Sequence, residues 1–117
     1  MISIVDDDES VRRSVRNLLS SLGFRVETFA SAELFLQSVH LENTGCLILD
    51  LRMPGMSGLD LLSHLAVAQR RIPAIVLTAN ATDEARRRSL QAGAIAFLPK
   101  PAKGEVLVAA VQAAIGP

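Results

Sequence analysis

Short apolar runs recur along this chain, each ending near a polar or charged side chain. They are Ile2-Ser3-Ile4-Val5, Cys46-Leu47-Ile48-Leu49, Ala74-Ile75-Val76-Leu77 and Ala94-Ile95-Ala96-Phe97-Leu98. Stretches with helical periodicity separate them, and that alternation predicts βα units. A run that is apolar on both sides of its pleat is buried on both faces, as in a parallel sheet with helices on either side. The expected fold class is therefore α/β, a doubly wound parallel sheet built from five βα units. Open sheets of this kind bind ligands beyond the carboxyl ends of their strands. The same topology would gather Asp6 and Asp7, Asp50, Thr78 and Lys100 at one edge, although they are far apart in sequence.

The remaining strand is expected over residues 24–29, where side chains alternate. The first helix carries a stripe of Val11, Val15, Leu18, Leu19 and Leu22, with Ser10 as its cap and Gly23 after its end. Ser31 is the expected cap of a second helix burying Leu34, Phe35 and Val39, and Ser57-Gly58 precedes a third burying Leu59, Leu62 and Leu65. A fourth starts at Thr82 with Asp83 and Glu84, and offers Ala85, Leu90 and Ala92 for burial. The fifth, from about 103 to 115, buries Leu107, Ala110, Val111 and Ala114. It leaves Val106, Val108 and Ala113 as surplus apolar surface for a partner.

At 117 residues, half of them apolar, the chain suits one domain with a real core. Twelve basic and twelve acidic residues cancel, which argues against nonspecific nucleic-acid binding by this segment, because counterion release needs a basic face. The single cysteine, Cys46, cannot form an internal disulfide; a buried, inert thiol in a reducing cytoplasm is expected. No apolar stretch approaches the ~20 residues that span a bilayer, and the N-terminus lacks an export signal, so no membrane association is expected.

Three carboxylates at one edge repel one another and call for a cation. Oxygen ligands without cysteine or histidine suit Mg²⁺, which shares phosphate oxygens with its protein ligands. Lys100 adds positive charge and Thr78 a hydroxyl donor, so the set describes a socket for a phosphoryl group. A carboxylate is its nucleophile, since it attacks phosphorus without a general base. Asp50 is the best placed, after a whole apolar strand and before a loop punctuated by Pro54 and Gly55.

These residues resemble the response-regulator receiver domains of two-component signalling, the CheY-like family. The resemblance covers the whole chain, residues 1–117, as a single receiver domain. It rests on Val5-Asp6-Asp7-Asp8, on Asp50-Leu51-Arg52-Met53-Pro54-Gly55-Met56-Ser57-Gly58, on Leu77-Thr78-Ala79, and on Gly93-Ala94 through Phe97 to Lys100-Pro101. It implies a flavodoxin-like sheet of order 2-1-3-4-5. It also implies that Asp50 is the phospho-acceptor, and that Asp7, Asp50 and the backbone carbonyl of Arg52 bind Mg²⁺, with Asp6 acting through water. Thr78 would be the switch hydroxyl, Phe97 the aromatic that turns inward with it, and Lys100 the ionic partner of the phosphoryl group. The Lys100-Pro101 bond would be cis. Arg52, Ala79 and Asn80 occupy positions through which the family tunes the lifetime of the phosphoryl group.

The implied partner is a sensor histidine kinase, and the implied output is a change on the face of the fourth helix, fifth strand and fifth helix. Ser10-Val11-Arg12-Arg13, Phe29-Ala30-Ser31-Ala32-Glu33 and the Met53–Gly58 motif (residues 53–58) are most similar to the FixJ-like branch. Its members usually carry a C-terminal helix-turn-helix domain and dimerise through that face when phosphorylated, so DNA would be contacted only through an output domain outside these residues. The chain would then be the N-terminal part of a longer transcriptional regulator. Ala102 and Gly104 depart from the family, and Gly104 weakens the start of the last helix by about 1 kcal/mol against alanine.

Other readings are a complete single-domain regulator and a receiver-like interaction module that works without phosphorylation. A haloacid-dehalogenase-like phosphatase also uses strand-end aspartates and Mg²⁺, but usually carries an acid/base aspartate two residues after its nucleophile. Arg52 stands there instead. Without the family resemblance, Thr78 would read as an ordinary strand end and Phe97 as core. His40, His64 and Arg86-Arg87-Arg88 read as surface.

Overall fold

Strands and helices alternate from the first residues onward in the computed structural model, which describes residues 1–116. The order is β1 (Ile2–Val5), α1 (Glu9–Ser21), β2 (Val26–Phe29), α2 (Ala32–Leu36), a 3₁₀ turn (Leu41–Asn43), β3 (Cys46–Leu49), α3 (Gly58–Val67), β4 (Ala74–Thr78), α4 (Asp83–Gln91), β5 (Ala96–Pro99) and α5 (Gly104–Ile115). The five strands form one sheet of order β2-β1-β3-β4-β5 in which every pair is parallel.

Successive side chains of a strand point to opposite faces, so the central runs supply two separate cores. Val5, Leu47, Leu49, Ala74, Val76 and Phe97 face α2, α3 and α4, where they meet Ala32, Phe35, Leu61, Leu62, Leu65 and Ala85. Ile2, Ile4, Cys46, Ile48, Ile75 and Leu77 face α1 and α5, where they meet Val15, Leu19, Leu107 and Val111. Complete burial of a side chain such as Phe35 or Leu61 contributes about 1.5–3 kcal/mol. The one polar residue inside β1, Ser3, is satisfied by the Thr44 hydroxyl at 2.7 Å.

Several helix boundaries and faces differ from the sequence reading. Asp8, not Ser10, caps α1, its carboxylate accepting from the Ser10 amide at 2.8 Å. Leu22 lies past the helix and is exposed. α2 stops at Leu36 because Ser38 turns its hydroxyl to the His40 amide at 3.0 Å, a local bond that competes with helix. Val39 is thereby left outside and 83% exposed, Leu34 faces solvent, and Ala32 and Phe35 do the burying.

In α3 the fully buried residue is Leu61, while Leu59 is half-buried. In α4 the inward pair is Ala85 and Ser89, four residues apart; Leu90 is rotated off it and largely exposed. The last strand begins at Ala96, and Ile95 before it is exposed. On α5, Val106 and Ala113 remain exposed as expected, but Val108 packs against the second core.

Candidate functional site at the carboxyl edge of the sheet

Strand register decides which side chains meet. Val5 and Leu49 are the last pair of the β1–β3 ladder, and one further backbone bond follows on each strand. The Asp6 amide donates to the Phe29 carbonyl at 3.1 Å, and the Asp50 amide to the Val5 carbonyl at 3.1 Å. Asp6 and Asp50 therefore leave the sheet side by side, from adjacent strands. At the other side Thr78 pairs with Pro99, and the Lys100 amide donates to the Thr78 carbonyl at 2.9 Å. That bond carries the lysine to the same edge, and the Lys100–Pro101 peptide that follows is cis.

The lysine ammonium bridges the two carboxylates: Lys100 Nζ lies 2.8 Å from Asp6 Oδ2 and 2.9 Å from Asp50 Oδ2. Backbone amides take the other oxygens. Asp8 N–H donates to Asp6 Oδ1 at 2.9 Å, and Leu51 N–H to Asp50 Oδ1 at 2.7 Å. Both aspartates are buried, whereas Asp7 is exposed at the mouth of the site. One carboxylate oxygen from each of Asp6, Asp7 and Asp50 falls within 4.8 Å of the others.

Charge is unevenly compensated in this cluster. Burial pushes the Asp6 carboxyl above its usual range, against the opposing pull of Lys100 and the Asp8 amide. Burial alone would lower the lysine, but its bonds to Asp6 and Asp50 outweigh that and hold it above its ordinary value. One ammonium thus faces three carboxylates. A donor set made only of oxygens, with negative charge in excess and one member open to solvent, fits a hard divalent cation such as Mg²⁺.

The remaining expected residues lie around this centre. Thr78, fully buried, accepts from the Asn80 amide at 3.1 Å, a bond that does not use its hydroxyl proton. Arg52 begins the loop to α3, its amide 3.4 Å from Asp50 Oδ1 and its side chain exposed. Phe97 pairs with Val76 on the neighbouring strand and stands inward already, packed in the core beneath α4. A groove lined by Asp7, Arg52, Met53, Pro54 and Ser57 opens from the acids to solvent.

Two neighbours escaped the sequence reading. Arg12 Nη1 donates to the Asp6 carbonyl at 2.7 Å and braces the turn after β1. Glu33, on α2, accepts from the Met56 amide at 3.0 Å in the loop after Asp50. Both lie within motifs of the sequence, but their targets are backbone groups that carry no sequence signal.

Comparison with known proteins agrees with this geometry. The response regulator receiver domain model matches residues 2–112. The response regulator protein TodT of Pseudomonas putida is 40% identical over 115 residues, covering 98% of this chain and 51% of TodT. The transcriptional regulatory protein FixJ of Rhizobium meliloti is 39% identical over 113 residues, covering 97% of this chain and 55% of FixJ. The solved structure of the response regulator StyR matches with a TM-score of 0.89 at 46% identity, covering 97% of this chain and 58% of that one. The chain spans about half the length of the curated relatives it matches. A parallel sheet of this order, the acids and lysine its register collects, and a family pattern running through nearly every element have one common explanation: the chain belongs to the response regulator receiver domain family.

Proposed function

We propose that this domain accepts a phosphoryl group on Asp50 from the phosphohistidine of a sensor histidine kinase. The observation that carries the reading is the Lys100 ammonium held 2.9 Å from Asp50 Oδ2 within an acid cluster. In the transfer, an Asp50 carboxylate oxygen attacks phosphorus in line and the phosphorus–nitrogen bond of the donor breaks. Its electron pair returns to the imidazole, and an acyl phosphate forms on Asp50. Lys100 stays beside the oxygens on which negative charge gathers, and Thr78 turns its unused hydroxyl proton toward one of them. Asp7, Asp50 and the Arg52 carbonyl would hold Mg²⁺, with Asp6 in the outer shell, and the ion supplies further positive charge to the phosphoryl oxygens. Later hydrolysis of the acyl phosphate resets the domain, so catalysis is confined to its own phosphorylation and dephosphorylation.

The output follows from differential stability of two conformers. Movement of Thr78 toward the phosphoryl group, next to Phe97, favours a conformer in which α4, β5 and α5 present a different surface. Exposed Ile95, Val106 and Ala113 on or near that surface support homodimer formation there. The likeness to FixJ supports a transcriptional output, with DNA contacted by a further domain rather than by these residues. The balanced charge agrees with that division of labour. A cytoplasmic setting is supported by the buried free thiol of Cys46, and no described helix is long and apolar enough to cross a membrane.

The test is to mix the protein with Mg²⁺ and acetyl phosphate, then read intact mass and oligomeric state for wild type and Asp50→Asn. The expected result is a phosphate-sized mass gain in wild type, absent in the variant, accompanied by dimer. No gain from either acetyl phosphate or phosphorylated histidine kinases would overturn the reading.

A further inference from the structure

The loop after Asp50 is tied at its start, at its end, across its base by the Gly58 amide to the Leu51 carbonyl at 3.0 Å, and once from elsewhere in the chain. At its start the Leu51 amide is tied to the Asp50 carboxylate at 2.7 Å. At its end Ser57 and Asp60 cap α3 reciprocally. Between them Pro54 and Gly55 make a turn, with Gly55 at φ +78°. Glu33 reaches that turn from the first turn of α2, 23 residues earlier, and its Oε2 accepts from the Met56 amide at 3.0 Å. A Cβ on Gly55 would run into the same carboxylate oxygen. The turn needs glycine for its backbone angle, and a Cβ there would also push the Glu33 carboxylate off its place.

We propose that Glu33 is a positioning residue: by holding the Met56 end of the loop that carries Arg52, it favours the loop conformation in which the Arg52 carbonyl would serve as a metal ligand. The inference rests on the phospho-acceptor reading above. An exposed carboxylate contributes little to global stability, because water competes for it. Its effect here is local, since a glycine turn that admits many conformations is held in one by a bond to its own amide. The Met56 amide also draws the Glu33 carboxyl below its usual range, as a bond to the ionised acceptor does.

Apparent affinity falls in proportion to the fraction of molecules in the competent conformation. If releasing the anchor leaves about one loop in five competent, the Mg²⁺ dissociation constant rises about fivefold. The experiment measures Mg²⁺ affinity by calorimetry, hydrogen exchange at the Met56 amide, and phosphate gain from acetyl phosphate at saturating Mg²⁺. It compares wild type, Glu33→Ala, Glu33→Gln and, as a control on the same helix, Leu34→Ala.

Glu33→Ala is expected to weaken Mg²⁺ about fivefold and speed exchange at Met56, while phosphate gain at saturating Mg²⁺ matches wild type. Glu33→Gln, which keeps an acceptor oxygen, is expected to recover most of the affinity. An unchanged dissociation constant in Glu33→Ala would overturn the inference, as would an equal loss in Leu34→Ala or a defect that saturating Mg²⁺ does not rescue. Wild-type protein that takes up phosphate without needing Mg²⁺ would overturn this inference alone. Wild type that neither binds Mg²⁺ nor takes up phosphate would overturn it together with the proposed function.

Discussion

Lys100 donates through a single nitrogen to both Asp6 and Asp50, so neither carboxylate has a full counter-charge of its own. The residue types of this cluster were legible in the sequence because each ends an apolar strand, where a buried charge needs a reason. Arg12 and Glu33 were not legible, because a carbonyl or amide target leaves no mark on the residue that supplies it. The inertness expected of Cys46 takes a measurable form in its buried setting. Burial pushes its thiol from an ordinary 9.0 up to about 11. As pH rises through that window the unfolded thiol ionises first, so unfolding releases a proton and stability falls. Its contribution is therefore fully present below pH 9 and lost toward 11. Urea melts from pH 8 to 11 should show a steeper decline for wild type than for Cys46→Val, by up to about 2 kcal/mol. Parallel curves for the two proteins would show that burial does not shift this thiol.

At the level of elements, strands were easier to place than helix ends. Apolar runs fixed β1, β3 and β4, whereas several neighbouring side chains could cap α1, and the Ser38 turn that shortens α2 is a choice between two local hydrogen bonds. At α4, Ala85 and the C-cap Ala92 pack inward as expected; the departure is that Ser89, a polar residue the apolar pattern passes over, is buried where Leu90 was expected. Glycines at the starts of two helices make opposite predictions. A Cβ on Gly58 would run into the Asp50 carbonyl oxygen and crowd Leu51 Cα, so α3 can approach β3 only without a side chain there. Gly58→Ala is expected to cost about 1–3 kcal/mol in chemical denaturation and to slow phosphate uptake by displacing Asp50. A Cβ on Gly104 meets only the flexible Leu18 methyls, at 3.4 and 3.8 Å. Gly104→Ala is expected to stabilise by about 0.5 kcal/mol, correcting the weak start of α5 noted in the sequence. The same sign for both substitutions would contradict the packing described for these helix starts.

At the scale of the whole molecule, two apolar layers lie on either side of one sheet, and among the described residues no core side chain belongs to both. Fold class and strand order were legible through the alternation of runs and the family resemblance; the division of residues between layers came only with the strand register. Separate layers should respond separately. Ile4→Val, in the layer under α1 and α5, is expected to cost about 0.5–1.5 kcal/mol, and Leu62→Ala, under α2 to α4, about 2–5 kcal/mol. The double variant should lose their sum to within about 0.5 kcal/mol in denaturant titration, and a larger departure would mean the sheet transmits strain between its faces. Additivity of this kind also bears on ancestry. A substitution arriving in one layer meets nearly the same background whatever has already become fixed in the other, so the order of arrival matters little. Such a domain can wander far in sequence across many lineages by short independent steps, without waiting for paired changes on opposite sides of its sheet.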